Sequence, residues 1–234
     1  MFEDGAYTAR PEELGTRRTS ADVVFDHLYR EIVSLDLLPG AKMSEVEIAR
    51  RFGVSRQPVR DAFSRLGNLG YLTVRPQKAT EVRRFSTRAI AAARFVRLAL
   101  ELEVVRRCHA RWSRAQAARF DATMRAQADA VARDDRAAFL IHDLEFHLLL
   151  CELGDAAHAA AAITENKAQV DRLRRLSHEG KAEMSELLDD HRALLGALGE
   201  ERPDAAVQAM RHHLGRLDRT VEQARARYDA YFED

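Results

Sequence analysis

The sequence predicts a mainly α-helical protein in two parts: a small three-helix unit closed by a β-hairpin, followed by an antiparallel bundle of six helices. Three observations carry that prediction. Apolar residues recur at helical spacing along most of the chain, and the stretches that read as strands are Tyr71-Leu72-Thr73-Val74 and Ala79 to Val82. The composition changes after Phe85, where alanine, leucine and arginine dominate and glycine becomes sparse. Basic charge gathers in the first part: residues 17–85 hold 13 Lys/Arg against 8 Asp/Glu, although the chain as a whole carries 37 of each.

Residues 1–19 are polar and aperiodic and read as a loose tail. From Ser20 to Leu38, Val24, Leu28, Ile32 and Leu35 form one apolar stripe, and Pro39-Gly40 stops that helix. Ser44-Glu45-Val46-Glu47 has the pattern of a capping box and opens a short helix to about Phe52. Gly53 ends it. Ser55 caps the next helix, whose stripe is Val59, Ala62, Phe63 and Leu66, and Gly70 closes it. Arg75-Pro76-Gln77-Lys78 reads as the turn of the hairpin. Residues 20–85 thus make one module and 86–234 the other. In the second, helices are expected at about 87–111, 114–133, 136–153, 156–177, 185–199 and 203–230. The breaks fall at Trp112-Ser113, Asp134-Asp135, Gly154, Ser177 to Gly180 and Gly199 to Pro203. Short connections make consecutive helices antiparallel.

Several classes drop out at this stage. No run approaches the ~18 uninterrupted apolar residues of a membrane span, and the first residues have no apolar segment of a secretory signal. Two cysteines, Cys108 and Cys151, cannot build a disulfide framework and fit a reducing compartment. A cytoplasmic protein is expected. Its basic module suits a polyanion and its near-neutral body does not.

The two short helices joined by Gly53-Val54-Ser55, with a helix before and a hairpin after, form a winged helix-turn-helix pattern. The second helix opens with Ser55, Arg56 and Gln57 and carries Arg60 one turn on. Its first turn therefore offers guanidinium, amide and free backbone N–H donors, the groups that bind phosphate and read purine edges in a major groove. Lys78, at the hairpin tip, stands where a cation reaches an adjacent phosphate. Helix-turn-helix patterns also serve protein contacts.

The run Leu38-Pro39-Gly40, Ser44-Glu45-x-x-Ile48-Ala49-x-x-Phe52-Gly53-Val54-Ser55-Arg56-Gln57-Pro58-Val59-Arg60-Asp61-Ala62 and Leu66-x-x-Leu69-Gly70 resembles the GntR family of bacterial transcription regulators over about residues 20–85. The resemblance implies that Arg56 and Arg60 contact base edges or phosphates. It implies further contacts from Ser44, Ser55 and Gln57, and a wing bearing Lys78 and Thr80 in the minor groove. The family's wing usually has a glycine near its tip. Gln77-Lys78-Ala79-Thr80 has none, so a reshaped wing is expected.

In the bundle, Asp143 and His147 lie one helical turn apart on a face that also holds Leu140, Leu144 and Leu150. His191 is flanked at helical spacing by Leu187, Leu194 and Leu195, and His213 by Ala206, Ala209, Met210, Leu214 and Leu217. One carboxylate and three imidazoles therefore sit on three inward stripes. Buried unpaired, they would be costly, so they either hydrogen-bond one another or share a cation. Such a donor set suits Zn²⁺, with Ni²⁺, Mn²⁺ or Fe²⁺ as alternatives. His212 and His142 serve as contrasts: the first faces solvent between Gln208 and Arg216, and the second sits on a mixed face with Glu145. Arg97 shares an inward stripe with Ile90, Ala93, Leu100 and Val104. A buried guanidinium needs an anion, either an effector carboxylate held in a bidentate clamp or an internal partner such as Glu101.

Asp143-x-x-Phe146-His147, His191-Arg192-x-Leu194-Leu195 and Met210-x-x-His213-Leu214 resemble the FCD ligand-binding domain of the FadR subfamily over roughly residues 87–226, and six helices rather than seven resemble its VanR-like branch. That resemblance implies that Asp143, His147, His191 and His213 bind a divalent metal, which receives the carboxylate of a small organic acid. It also implies an effector-contacting role for Arg97. Many members have asparagine after the glycine at Gly154. Asp155 stands there instead, which would alter effector chemistry if that position faced the pocket. The expectation is a homodimeric regulator, and a repressor rather than an activator. It would bind a near-palindromic operator with an affinity modulated by a small organic acid at the metal. A metal-dependent hydrolase is the rival, and a metal that is itself the signal, or purely structural, is a third reading.

Overall fold

The computed structural model describes residues 18–75, 79–176 and 180–233. Helix α1 (Ser20–Ser34) is fixed at its start by a reciprocal cap: the Thr19 hydroxyl accepts from the Asp22 N–H at 3.1 Å, and the Asp22 carboxylate accepts from the Thr19 N–H at 3.0 Å. The helix ends four residues before the expected Leu38. Leu35 adopts a left-handed φ of 67° and packs against the bundle-side cluster around Phe85 and Leu176. A tertiary contact, and not Pro39-Gly40, terminates it.

Helix α2 (Glu45–Phe52) and helix α3 (Arg56–Asn68) are joined by Gly53, whose φ of 64° suits a residue without Cβ. Val24, Leu28 and Ile32 of α1 meet Ile48, Val59, Phe63 and Leu66 in a single core. That core sets α3 across α2 and turns the first residues of α3 outward. Strands β1 (Lys42–Met43), β2 (Leu72–Thr73) and β3 (Thr80–Val82) form an antiparallel sheet in the order β1-β3-β2. The hairpin β2–β3 was expected. Strand β1 was not, since two residues are too short to show alternation.

The bundle comprises α4 (Thr87–Ala110), α5 (Arg114–Arg119), α6 (Asp121–Arg133), α7 (Arg136–Leu153), α8 (Ala160–Arg174), α9 (Gly180–Leu198), α10 (Pro203–Gly215) and α11 (Leu217–Arg227). Two of the six expected helices are broken. The span 114–133 breaks at Phe120, whose ring turns inward between Trp112 at 5.8 Å and Phe146 at 5.3 Å. The span 203–230 breaks at Arg216, which follows Gly215. Its guanidinium is drawn onto Asp190 at 2.5 and 2.9 Å and onto Glu186 at 2.7 Å. Helix α9 begins at Gly180, five residues earlier than the sequence pattern indicated.

Helix α8 joins the two parts. The Gln169 amide donates to the carbonyl of Leu69, at the end of α3, at 3.3 Å. The Arg172 guanidinium donates to the Arg83 carbonyl at 2.9 Å and lies 4.6 Å above the Phe85 ring. The C-terminal residues add a second tie: the Phe85 N–H donates to the Tyr231 carbonyl at 2.8 Å, and the Glu233 N–H to the Phe85 carbonyl at 3.0 Å.

Candidate DNA interface and buried histidine cluster

At the head, Arg56 and Arg60 project from the first two turns of α3 with side chains 59% and 57% exposed. Between them sits Glu45, from the first turn of α2. Its carboxylate accepts from Arg56 Nη2 at 2.9 Å and from Arg60 Nη2 at 3.3 Å. Hydrogen bonds from Arg60 and Arg56 hold the Glu45 carboxyl below its usual range. Glu45 therefore sets the spacing of the two guanidinium forks. In the sequence it was visible merely as a neighbour of the capping serine.

The remaining head residues divide. The Ser44 hydroxyl accepts from the Val46 N–H at 3.2 Å, and the reciprocal bond from Glu47 is not formed among the described residues. Ser55 stands at the N-cap of α3 but makes no side-chain cap bond, so its hydroxyl and the first N–H groups of α3 stay available to an anion. Gln57 Nε2 donates to Asp61 Oδ1 at 2.8 Å. Thr80 is a correction: it lies in β3 opposite Met43 and is 6% exposed, because the sheet covers it, and its side chain is not offered to DNA. Lys78 lies outside the described residues.

In the bundle, the structure brings Asp143, His147, His191 and His213 together from α7, α9 and α10, with one ligand atom of each within 4.8 Å of the others. None is more than 1% exposed. Ligand atoms on one ion at 2.0–2.2 Å stand roughly 3–4 Å apart, so the set needs only a small contraction to share a cation. The imidazoles are oriented from behind. His147 Nδ1 is 2.5 Å from Glu101 Oε2, His191 Nδ1 donates to Gln127 Oε1 at 2.7 Å, and His213 Nδ1 is 3.6 Å from Asp190 Oδ2. The Gln127 acceptor at His191 Nδ1 selects the tautomer whose Nε2 carries the lone pair, the arrangement that supports metal ligation, while Asp190 lies beyond hydrogen-bond reach of His213. The Nε2 atoms of His191 and His213 are buried with no hydrogen-bond partner. Asp143 Oδ1 lies 3.4 Å from His191 Nε2, and its other oxygen lies 2.5 Å from Lys167 Nζ. This donor set fits a divalent ion: one carboxylate oxygen and three imidazoles, with the Nε2 atoms of His191 and His213 free of any other hydrogen-bond partner.

The electrostatics agree. Burial would raise the Asp143 carboxyl, but Lys167, His191, His147 and Arg174 hold it well below its usual range. Burial and the neighbouring imidazole of His213 push His191 well below its usual value, and burial pushes His213 down to about 4. In the metal-free protein these rings are neutral when folded and take up protons near 6.5 when unfolded. Over the window from pH 6.5 down to about 4, the unfolded state binds more protons, so stability falls as pH falls. Metal-free protein is expected to melt at a lower temperature at pH 5 than at pH 7.5. Equal melting temperatures would contradict the buried neutral rings.

Arg97 points inward as expected, 3% exposed, and its Nε donates to Glu101 Oε1 at 2.6 Å. The internal salt bridge is formed. Arg97 Nη2 lies 3.4 Å from His147 Nε2, so the same guanidinium borders the centre. Burial would raise the Glu101 carboxyl, yet Arg97 and His147 hold it well below its normal range. Glu101, Gln127, Asp190 and Lys167 were not singled out as supports of the site. They sit on other helices from the histidines they serve, a relation no spacing reveals. The contrasting histidines behave as read: His142 pairs with Glu145 at 2.8 Å, and His212 is 67% exposed. Asp155 is also at the surface, 76% exposed and 3.2 Å from Arg111, so the departure from asparagine does not touch the site. Both cysteines are buried, with burial pushing Cys108 up to about 12 and Cys151 up to about 11.

A winged helix with paired arginines on its exposed helix, tied through one helix to a bundle with an enclosed ligand cluster, defines a two-domain DNA-binding regulator. Residues 20–82 match the family described as "Bacterial regulatory proteins, gntR family", and residues 93–216 match the FCD domain. The HTH-type transcriptional repressor RspR of Escherichia coli (strain K12) is 33% identical over 211 residues, which cover 90% of this chain and 92% of that protein. The fold is shared with E. coli McbR/YncC (TM-score 0.70, 19% identity, 91% of this chain and 100% of that one). It is also shared with a GntR protein of Rhodococcus sp. RHA1 (TM-score 0.71, 20% identity, 86% of this chain and 97% of that one). The chain belongs to the GntR family and carries an FCD domain; it is a DNA-binding transcription regulator and not an enzyme. The hydrolase reading is set aside. Among the described residues no helix is long and apolar enough to cross a membrane.

Proposed function

We propose that the protein is a ligand-responsive repressor whose operator affinity is set by a small carboxylic acid bound at a divalent metal in the bundle. The observation that carries this reading is the convergence of Asp143, His147, His191 and His213 with inward lone pairs and no competing partner for two of them. Zn²⁺ is the ion assigned to the site, with Ni²⁺, Mn²⁺ and Fe²⁺ also compatible with this donor set. The metal would supply a Lewis-acidic seat for one carboxylate, and Arg97 would orient it from the side. RspR is named as a repressor, which supports the same direction of control here.

The coupling runs through packing. The four ligands are enclosed, so an acid entering the site has to displace helices. Helix α8, which contacts Asp143 through Lys167, also holds the head at Leu69, Arg83 and Phe85. An occupant that favours one placement of α8 favours one placement of the recognition helix. A homodimer puts two such helices on the half-sites of a near-palindromic operator about one turn of DNA apart. The apolar groove between α4 and α11, with Ile90, Leu98, Leu217 and Val221 and with Phe95 72% exposed, suits a second copy of the chain.

The test starts with duplexes selected by the protein from a random pool. A two-fold symmetric consensus is expected. Small carboxylic acids that raise the melting temperature of zinc-loaded protein should lower its affinity for that duplex. Operator affinity indifferent to zinc and to every acid would contradict the proposal.

A further inference from the structure

Helix α8 aims a stripe of charge at the cluster. Lys167, Asp171 and Arg174 stand at i, i+4 and i+7, on one face, and all three are buried. Lys167 Nζ bridges Asp143 Oδ2 at 2.5 Å and Asp171 Oδ2 at 2.6 Å. The other cations around the site are committed too, Arg97 to Glu101 and Arg216 to Asp190 and Glu186. Arg174 differs. It is 3% exposed, its Nε has no hydrogen-bond partner, and among the described residues no carboxylate lies within ion-pair distance of it. Its charge is nevertheless felt at both Asp143 and His213. A guanidinium taken out of water without a counter-ion is costly, and a bidentate carboxylate is its best-matched partner.

We propose that the acid recognised by this protein is a dicarboxylate, with one carboxylate at the metal beside Arg97 and the other held by Arg174. This deepens the metal-and-acid reading above and rests on it. Arg174 lies seven residues along α8 from Lys167, about 10 Å of helix, so it selects by length as well as by charge. It also follows Arg172 by two residues, so an acid seated on Arg174 bears on the helix that holds the Arg83 carbonyl.

The experiment is calorimetric titration of zinc-loaded protein with succinate, glutarate and adipate, each beside the monocarboxylate of equal length: butyrate, valerate and hexanoate. At least one dicarboxylate is expected to bind about tenfold or more tighter than its partner. In Arg174→Gln that ratio should fall toward one, and Arg174→Lys, which keeps a cation, should retain part of it. A wild-type ratio near one, or a ratio unchanged in Arg174→Gln, overturns the assignment. Binding of monocarboxylates alone overturns this inference and leaves the broader reading standing. Zinc-loaded wild type that binds none of the six acids overturns both.

Discussion

Arg56→Ala and Arg60→Ala are each expected to weaken operator binding by about 1–3 kcal/mol where the residue reads a base, roughly 5- to 150-fold in Kd. The expectation follows from geometry. Both guanidiniums leave the first turns of α3, beside backbone N–H groups that the uncapped Ser55 leaves open, and both are more than half exposed. Glu45 holds them as a pair, so the energetic cost of fixing two long side chains is partly met before DNA arrives. A base reader and a phosphate contact are separable by salt. Loss of a phosphate contact reduces the slope of log K against log salt by about one, whereas loss of a base contact relaxes sequence preference. Fluorescence anisotropy on the selected duplex, over a range of salt, gives both quantities. Unchanged affinity in both variants would remove α3 as the recognition element.

The second large effect concerns the cluster. Replacing His147 and His191 together by alanine removes two of four inward donors. Bound zinc should fall from about one ion per chain to near none, measured on protein purified without chelator. Zinc should also stop raising the melting temperature. In wild type that rise corresponds to about 2.7 kcal/mol at a free zinc concentration a hundred times Kd. His142→Ala is the control, since that ring pairs with Glu145 and lies away from the centre. Equal zinc content in the cluster variant and in wild type would place the metal elsewhere. Equal content in wild type and control, with none in the cluster variant, is the predicted pattern.

Much of this was legible from residue order, because the head and the four inward groups are written as helical periodicities. Asp143 and His147 share a face by arithmetic, and the leucines beside them show which way that face points. Two kinds of feature were not legible. Breaks at Phe120 and Arg216 depend on partners from distant helices, Phe146 in one case and Asp190 in the other, and local propensity does not register them. The supports of the cluster fail for the same reason: Glu101, Gln127 and Lys167 are ordinary surface residue types by composition and become part of the site only when helices pack. Thr80 was misplaced because the pairing of β1 with β3, which buries it, rests on a two-residue strand. Arg97 remained open between a clamp and an internal pair. The structure shows the pair, with the guanidinium also at the edge of the centre, so the two roles are compatible.

In the proposed centre, four side chains from three helices hold one divalent ion inside a DNA-binding regulator. Crystals of protein loaded with one equivalent of Zn²⁺, measured by anomalous diffraction at the zinc edge, should show a single strong peak within about 2.0–2.2 Å of Asp143 Oδ1 and of the Nε2 atoms of His147, His191 and His213. Zinc bound at the protein surface, with those four groups paired to one another around no ion, would contradict it.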